Sequence, residues 1–288
     1  MIGNKLDLCM WTKNGEATLG QVLRRINEVV PMECVNKRFI VDDHSVDRTR
    51  SIARHYGWEI IFNSGGGISD GANTALGHVE TEFFCSFEQD VLLAKDWWKK
   101  IQKHIGELGV GAVSGMRFYP KYNCVGVLER YTALKQIVWK QFTLGKTLDN
   151  TVWNTAAVRG VGGFPEMTYA GHDTILAYSL EKAGYRWVVD GLIISVHLRG
   201  SFYDACCHQF FYSRSFSEVW KILNVKFGLV EVATLKVISF RFIKSPFTGI
   251  LIALKMRDPR LLFAYPLFML YYLCGYIQGR SLGMRSKK

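Results

Sequence analysis

Short apolar runs alternate with amphipathic stretches along the first 116 positions, and this alternation is the strongest regularity in the chain. Residues 6–11 are apolar enough for a strand. Leu19, Val22, Leu23, Ile26 and Val30 then fall on one stripe of a helix predicted over 18–30, which Pro31 ends. The order repeats as strand 38–41, helix 47–56, strand 59–62, helix 69–76, strand 83–87, helix 93–105 and strand 110–116. Strands separated by helices at this pace predict an α/β fold with a mostly parallel, doubly wound sheet. Beyond 117 the period loosens. A long helix is expected over 127–142, a strand over 152–158, a Gly-rich turn at 160–163, a helix over 173–183, and strands over 187–189 and 193–196. From 200 the pattern turns helical and aromatic, and the chain divides into a sheet-based domain at 1–223 and a helical region at 224–288.

Composition changes this picture in three ways. At 288 residues and 49% hydrophobic, the chain can bury a large core, which argues against disorder. Lys5 and Asp7 interrupt the apolar stretch a secretory leader would need, so the sheet domain is expected on the cytoplasmic side. Seven cysteines without CxxC spacing read as buried thiols, neither a disulfide framework nor a zinc site. The net charge of +11 is concentrated at the end: residues 241–288 hold nine Lys and Arg against one acid, Asp258, a local net of 9 − 1 = +8. Because these basic residues flank apolar segments, an anionic membrane surface is the expected partner and nucleic acid is not.

The candidate chemistry lies at strand ends, where open α/β sheets bind ligands. Asp42 and Asp43 are adjacent like charges after the second strand, a costly pairing unless a ligand donor or cation is near; Ser45, Asp47 and Thr49 beyond them are equally good helix caps. Residues 63–73, with Gly65, Gly66 and Gly67, read either as a phosphate-approaching loop at a helix start or as a plain connector. Glu88 and Asp90 flank Gln89 and, one residue apart on an extended segment, project to the same side; hard oxygen ligands of this kind suit Mg²⁺ or Mn²⁺. Further on come Gly162, Gly163 and Phe164, then His172 and Asp173, then His197. Asp173 at a helix start is either an N-cap or a general base, and His197 either a structural histidine or a metal ligand.

Taken in order, these segments resemble the family 2 glycosyltransferases, inverting enzymes of the GT-A fold, over roughly residues 5–200. Thr12, Asn14 and Glu16 sit where that family has its first-strand loop; residues 42–47 match its DDxSxD pattern. Glu88, Gln89 and Asp90 take the place of its DxD motif, residues 162–164 with His172 and Asp173 that of GGF…ED, and His197 a histidine after the later strands. The resemblance implies a GT-A sheet with flanking helices and a UDP- or GDP-linked sugar as donor. It implies donor contacts from Thr12, Asn14, Glu16, Asp42, Asp43, Gly67, Asn73, Glu88 and Gln89, and Mg²⁺ or Mn²⁺ at Asp90 and His197. Acceptor contacts are then expected from Gly163, Phe164 and His172, with Asp173 as the base. The chain departs from the pattern in Glu88 for Asp, in His172 for an acid, and in lacking an arginine at residues 71–73. A sugar-nucleotide pyrophosphorylase, with residues 13–15 as a weak version of its basic glycine loop, and a non-catalytic scaffold of the same fold are the competing readings.

Residues 261–279 carry no charge, and nineteen residues at about 1.5 Å each nearly span the roughly 30 Å hydrocarbon core. Pro266 interrupts the run, and Arg257 and Arg260 precede it while Arg280, Arg285, Lys287 and Lys288 follow. Basic groups on both flanks favour keeping both on the cytoplasmic side, so an interfacial or re-entrant attachment is expected over a span. Residues 225–242 read as a surface-lying amphipathic helix, with a partner-subunit face as the alternative. An enzyme held at a bilayer is expected to act on a lipid-linked acceptor, and loops at 118–124 and 202–214 are expected to select the sugar.

Overall fold

The computed structural model describes residues 5–120, 124–138, 145–167, 170–198, 201–229 and 234–285. In chain order its elements begin β1 (Leu6–Thr12), α1 (Leu19–Val29), β2 (Val35–Asp42), α2 (Thr49–His55), β3 (Glu59–Phe62), α3 (Gly67–His78) and β4 (Phe83–Phe87). There follow β5 (Val91–Leu92), α4 (Trp97–Ile101), β6 (Val110–Phe118), α5 (Cys124–Val138), β7 (Thr151–Asn154), α6 (Thr155–Gly160), α7 (His172–Lys182) and β8 (Arg186–His197). The chain closes with α8 (Phe202–Arg214), α9 (Phe216–Phe227), α10 (Leu235–Ile243), α11 (Ser245–Met256) and α12 (Leu261–Arg285).

Among the described residues the strands join in one sheet, in the order β3-β2-β1-β4-β7-β6-β8-β5. β1 to β4 are mutually parallel, β7 is antiparallel to both β4 and β6, β6 runs parallel to β8, and β5 is antiparallel to β8. β4 is buried throughout and β1 nearly so, as inner strands covered on both faces must be. The stripe read from the sequence of α1 is the buried one: Leu19, Val22, Leu23 and Ile26 join Leu6, Leu8, Ile40, Phe87 and Trp97 in the main core. Burying each such side chain contributes about 2 kcal/mol. Trp153 and Trp187 enter the core because their indole N–H groups donate to the Ser86 and Ser114 hydroxyls at 2.7 and 2.9 Å.

Contacts divide the chain into two compact units. One comprises Met1–Phe118, Gly145–Glu166 and Leu176–Leu198; the other comprises Tyr119–Leu144, Met167–Ile175 and Arg199–Lys288. The first holds the whole sheet and the second the helices α5 and α8 to α12, so the units interleave along the chain where a single boundary after 223 was expected.

Several elements differ from the sequence pattern for identifiable reasons. The strand expected over 152–158 stops at Asn154, whose side chain accepts the Ala157 amide at 2.9 Å and starts α6. Of the helix expected over 93–105, only α4 and a 3-10 turn at Gln102–His104 form, and the residues just before it pair with β8 as β5. The two strands expected over 187–196 are one, β8, whose register with β6 slips between Gly115 and Met116. Residues 202–214 are not a loop but α8, opened by a capping box between Ser201 and Asp204. The helix expected over 225–242 is two: α9 ends where Gly228 turns left-handed, and α10 starts at Leu235. The helix expected over 127–142 is α5, and positions 139–142 lie outside the described residues. The cysteines are all free, with Cys9, Cys85 and Cys206 buried and Cys274 exposed.

Candidate active site

From β1 the chain moves outward through β2 and β3, then returns to β4 on the other side of β1, so the sheet reverses its order between β1 and β4. The carboxyl ends of these strands therefore open a crevice that no crossover helix fills. Thr12 ends β1 there, and Glu88, Gln89 and Asp90 follow β4. Gln89 ties the two ends together. Its Oε1 accepts from the Thr12 hydroxyl and, at 3.2 Å, from the Lys13 amide, while its Nε2 donates to the Lys13 carbonyl at 3.2 Å.

The loops after β1 and β2 are stitched to each other. The Asn14 amide donates to Ser45 Oγ at 2.9 Å and its side-chain oxygen accepts the Val46 amide at 3.0 Å. The Gly15 amide donates to Thr49 Oγ1 at 2.7 Å and the Glu16 amide to Asp47 Oδ2 at 3.0 Å. The Glu16 carboxylate grips Arg48, accepting from its Nε at 2.7 Å, and this holds the Glu16 carboxyl below its usual range. Asp42 is fully buried; its Oδ2 accepts the Ser45 amide at 3.1 Å, while its Oδ1 has no donor among the described residues. Asp43 pairs with Lys13 at 3.1 Å and also accepts from the Asn63 side-chain amide and the Gly67 amide. Burial alone would raise the Asp43 carboxyl, but these donors outweigh it and keep the group below its ordinary value, ionised at neutral pH. In the glycine loop, the Gly66 amide donates to Asp70 at 2.8 Å, so protein carboxylates occupy the anion position at the start of α3. Lys13, the one basic residue of the loop at 13–15, is engaged with Asp43.

On the other side of β4, the two-residue strand β5 lies beside the end of β8, with Val91 opposite His197, and the Leu198 amide donates to the Asp90 carbonyl at 2.7 Å. This pairing brings together Glu88, Asp90 and His197, which offer ligand atoms all within 4.8 Å of one another; Asp90 and His197 are buried. His197 Nε2 stands 3.4 Å from Asp90 Oδ2, and Arg117 Nη1 stands 3.2 Å from His197 Nδ1. Two carboxylates and an imidazole form a donor set that fits Mn²⁺ or Mg²⁺. A guanidinium can only donate, so with Arg117 in this position Nδ1 accepts and a neutral ring carries its proton on Nε2. Ligation through Nε2 would move that proton to Nδ1 and leave Arg117 to its second partner, Asp149, which it meets at 2.6 Å. Arg117 and Asp149 belong to no motif in the sequence. Each lies in an unremarkable stretch of sequence, and only strand pairing brings them behind His197.

Three of the expected contact residues, Asn73, Gly163 and Phe164, bond or pack inside the protein. The Asn73 side-chain amide donates to the Phe164 carbonyl at 2.8 Å and its oxygen accepts the Phe164 amide at 2.9 Å, locking the turn after α6 onto α3. Phe164 itself is buried, with its ring 5.6 Å from Trp11 and 5.5 Å from Trp153. Gly163 closes the turn before it, its amide donating to the Val158 carbonyl at 2.9 Å.

His172 and Asp173 open α7 and belong to the second unit. The Asp173 carboxylate is partly exposed, accepts the Thr174 amide at 2.8 Å, and lies 3.3 Å from the Tyr212 hydroxyl, a neighbour contributed by α8. Burial pushes His172 down to about 4, so at neutral pH its imidazole is uncharged and adds no positive charge beside Asp173.

The chain matches the family model described as "Glycosyl transferase family 2" over residues 7–162, more than half its length. No curated protein matches it. Among solved structures it resembles a mannosyltransferase from Pyrobaculum calidifontis, in complex with GDP-Man and Mn²⁺, with a TM-score of 0.67 and 16% identity over 99% of this chain and 88% of that one. It also resembles glucosyl-3-phosphoglycerate synthase from Mycobacterium tuberculosis, in complex with Mn²⁺, UDP and phosphoglyceric acid, with a TM-score of 0.59 and 13% identity over 80% and 81% of the two chains. A third similar structure is S. aureus TarS in complex with UDP-GlcNAc, with a TM-score of 0.53 and 16% identity over 96% and 92%. At such identities the likeness is one of fold, and that fold is GT-A, as the resemblance in sequence implied.

Proposed function

The chain belongs to glycosyl transferase family 2, and on that footing we propose that it moves a sugar from a UDP- or GDP-linked donor, with inversion, to a hydroxyl or phosphate of a lipid-linked acceptor at the cytoplasmic face of a membrane. The observation that carries the reading is the convergence of Glu88, Asp90 and His197 at the crevice between β1 and β4. Asp43 would accept from the nucleoside, with buried Asp42 holding the loop behind it through the Ser45 amide and with Thr12 and Gln89 fixing the strand ends beside it. Asn14, Glu16, Gly67 and Asn73 act on the donor indirectly, by holding the loops that carry those groups.

Glu88, Asp90 and His197 would hold Mn²⁺ or Mg²⁺, which when bound offsets the negative charge that grows on the diphosphate as the glycosidic bond breaks. Asp173 takes the proton of the acceptor hydroxyl, assisted by an adjacent His172 that stays neutral. A single displacement by that hydroxyl, from the face opposite the leaving diphosphate, inverts the anomeric carbon. Phe164 and Gly163 shape the acceptor side through the turn they form. The exposed apolar surface of the second unit and its basic residues favour a membrane location, and with it a lipid-linked acceptor.

The test is a thermal-shift panel of UDP- and GDP-linked sugars with and without Mn²⁺. A ligand that binds only the native state raises the unfolding midpoint, so at least one donor should stabilise the protein in the presence of Mn²⁺ and do so far less in its absence. Indifference to every nucleotide sugar would sink the proposal.

A further inference from the structure

The second unit contains a 25-residue helix, α12, whose stretch Leu261–Ser281 is apolar enough to cross a bilayer, and a shorter pair, α10 and α11, bent by 58° at their junction. Their surroundings differ. α12 is held by other helices at both of its ends. Near its start, a side chain on Gly249 of α11 would press against the carbonyl oxygens of Leu261 and Leu262, at 3.1 and 3.3 Å. Near its end, a side chain on Gly275 would collide with the Phe210 carbonyl, and one on Gly279 with the Arg214 carbonyl, so α12 lies backbone to backbone against α8. Tyr276 is buried between these glycines, its ring 6.0 Å from that of Phe216. α8 is a water-compatible helix carrying Asp204, His208 and Arg214. A helix clasped along α8 cannot also stand across a hydrocarbon core without giving up that contact or drawing those polar groups into lipid.

α10 and α11 present the opposite situation. Phe240, Ile243, Phe247, Ile250, Leu251 and Leu254 are all exposed, Phe247 and Leu254 each at 72%, and on α11 they recur at helical spacing as one stripe. Nine and twelve residues at about 1.5 Å each fall short of the roughly 30 Å a span needs, and although the pair is long and apolar enough when taken together, the 58° bend keeps it from forming one straight span. Basic residues border the stripe: Lys236, Arg241, Lys244, Lys255 and Arg257, with Lys244 Nζ 4.3 Å above the Phe240 ring. The only acid among residues 234–260 is Asp258, which is bound to Arg260 at 2.7 Å. Apolar side chains bordered by cations are complementary to an anionic lipid surface, where the cations meet headgroups and the apolar stripe enters the acyl boundary.

We infer that the protein is monotopic: α10 and α11 lie in the plane of an anionic bilayer as its docking surface, and α12, clasped to α8 along one side and open along the other, is a brace that does not span. This rests on the membrane location proposed above and specifies which surface makes the contact and how deeply. The full-length protein is tested by flotation with phosphatidylcholine vesicles with and without phosphatidylglycerol, with Mn²⁺-dependent hydrolysis of nucleotide sugars measured on the same samples.

The expected result is flotation with the anionic vesicles, release by alkaline carbonate, and at least tenfold weaker binding for Phe247→Glu/Leu251→Glu and for Lys244→Glu/Lys255→Glu, with hydrolysis unchanged. Gly279→Val should lower the unfolding midpoint of the detergent-free protein, because it separates α12 from α8. Retention through carbonate extraction, vesicle binding untouched by either pair, or a Gly279→Val protein as stable as the wild type would each overturn the inference. So would a dimer in sedimentation that Phe247→Glu/Leu251→Glu dissociates, since the face would then belong to a second copy. Hydrolysis without vesicle binding defeats the docking surface alone, whereas absence of hydrolysis in the wild type defeats the enzymatic reading and leaves the flotation result standing.

Discussion

In the first unit Phe39, Phe84, Phe87 and Phe164 are buried almost completely, whereas in the second Phe240, Phe247 and Phe263 stand 55%, 72% and 81% exposed. Both regions are rich in aromatic and aliphatic residues, so composition does not separate them. In the sheet unit the core side chains of the inner strands and of α1 have a facing strand or helix, and the carboxylates Asp42, Asp43, Glu88 and Asp90 collect at strand ends. The helical unit has clusters such as Leu128, Ile252, Leu261 and Ala264, yet each of α10, α11 and α12 keeps a second apolar face in the open. One unit closes on itself and offers charge at its rim; the other is left with surface that suits a non-aqueous neighbour.

If the units divide the work in this way, damage to each should have its own signature. The largest effect is expected for Asp173→Asn, in the second unit: sugar transfer should fall by about 10²- to 10⁴-fold, the usual range for a lost general base, with donor affinity within a few-fold of wild type. Single-turnover rates and donor titrations check this, and a variant that no longer binds donor would blur the division. Asp90→Ala, in the first unit, should weaken Mn²⁺ binding by more than about 100-fold, beyond what altering a mere outer partner of a metal ligand does, and should remove metal-dependent donor binding as well. Electron paramagnetic resonance of Mn²⁺ reads it directly; unchanged affinity would mean the cluster of Glu88, Asp90 and His197 holds no ion.

Smaller effects test the supports. Asn73→Ala leaves the buried backbone of Phe164 without two partners and should cost about 2 kcal/mol of stability in denaturant unfolding. A loss near zero would mean the turn is held by packing alone. His172 supplies a pH dependence. Its value falls from 6.5 to about 4 on folding, so between those limits the unfolded chain binds the extra proton. Stability is therefore complete above about pH 6.5 and declines as the pH drops toward 4, by at most about 1.4 kcal/mol per unit from this group. His172→Gln should flatten that slope in pH-dependent denaturant midpoints. The smallest effect is expected for Glu16→Gln, which loses one exposed pairing with Arg48 and should leave the thermal midpoint unmoved while other bonds still join the two loops.

Much of the sheet unit could be read from its residues. β3 and β4 occupy the predicted positions, and α1 buries the predicted stripe, because a run of apolar residues or a 3.6-residue period expresses its preference locally. β5 could not be read, since two residues carry no period and Val91 and Leu92 become a strand only by pairing with Val196 and His197. The same pairing makes Asp90 and His197 neighbours. Arg117 and Asp149 escaped notice for that reason, and so did the engagement of Asn73 with Phe164, which spends on the protein an amide that the motif alone suggested for the donor.

The alternation of apolar runs was enough to determine the α/β class, and the order of acids, glycines and histidines was enough to point to the family and to the residues at which to look for donor, metal and base. Those are properties of local spacing, and spacing is written in covalent order. Tertiary structure decided which carboxylates are neutralised by neighbouring amides and cations and which converge with His197, and it decided that α12 packs on α8 while α10 and α11 face outward. Those outcomes depend on strand register and on backbones close enough to touch, and such contacts arise between segments whose separation in sequence says nothing about their distance in space.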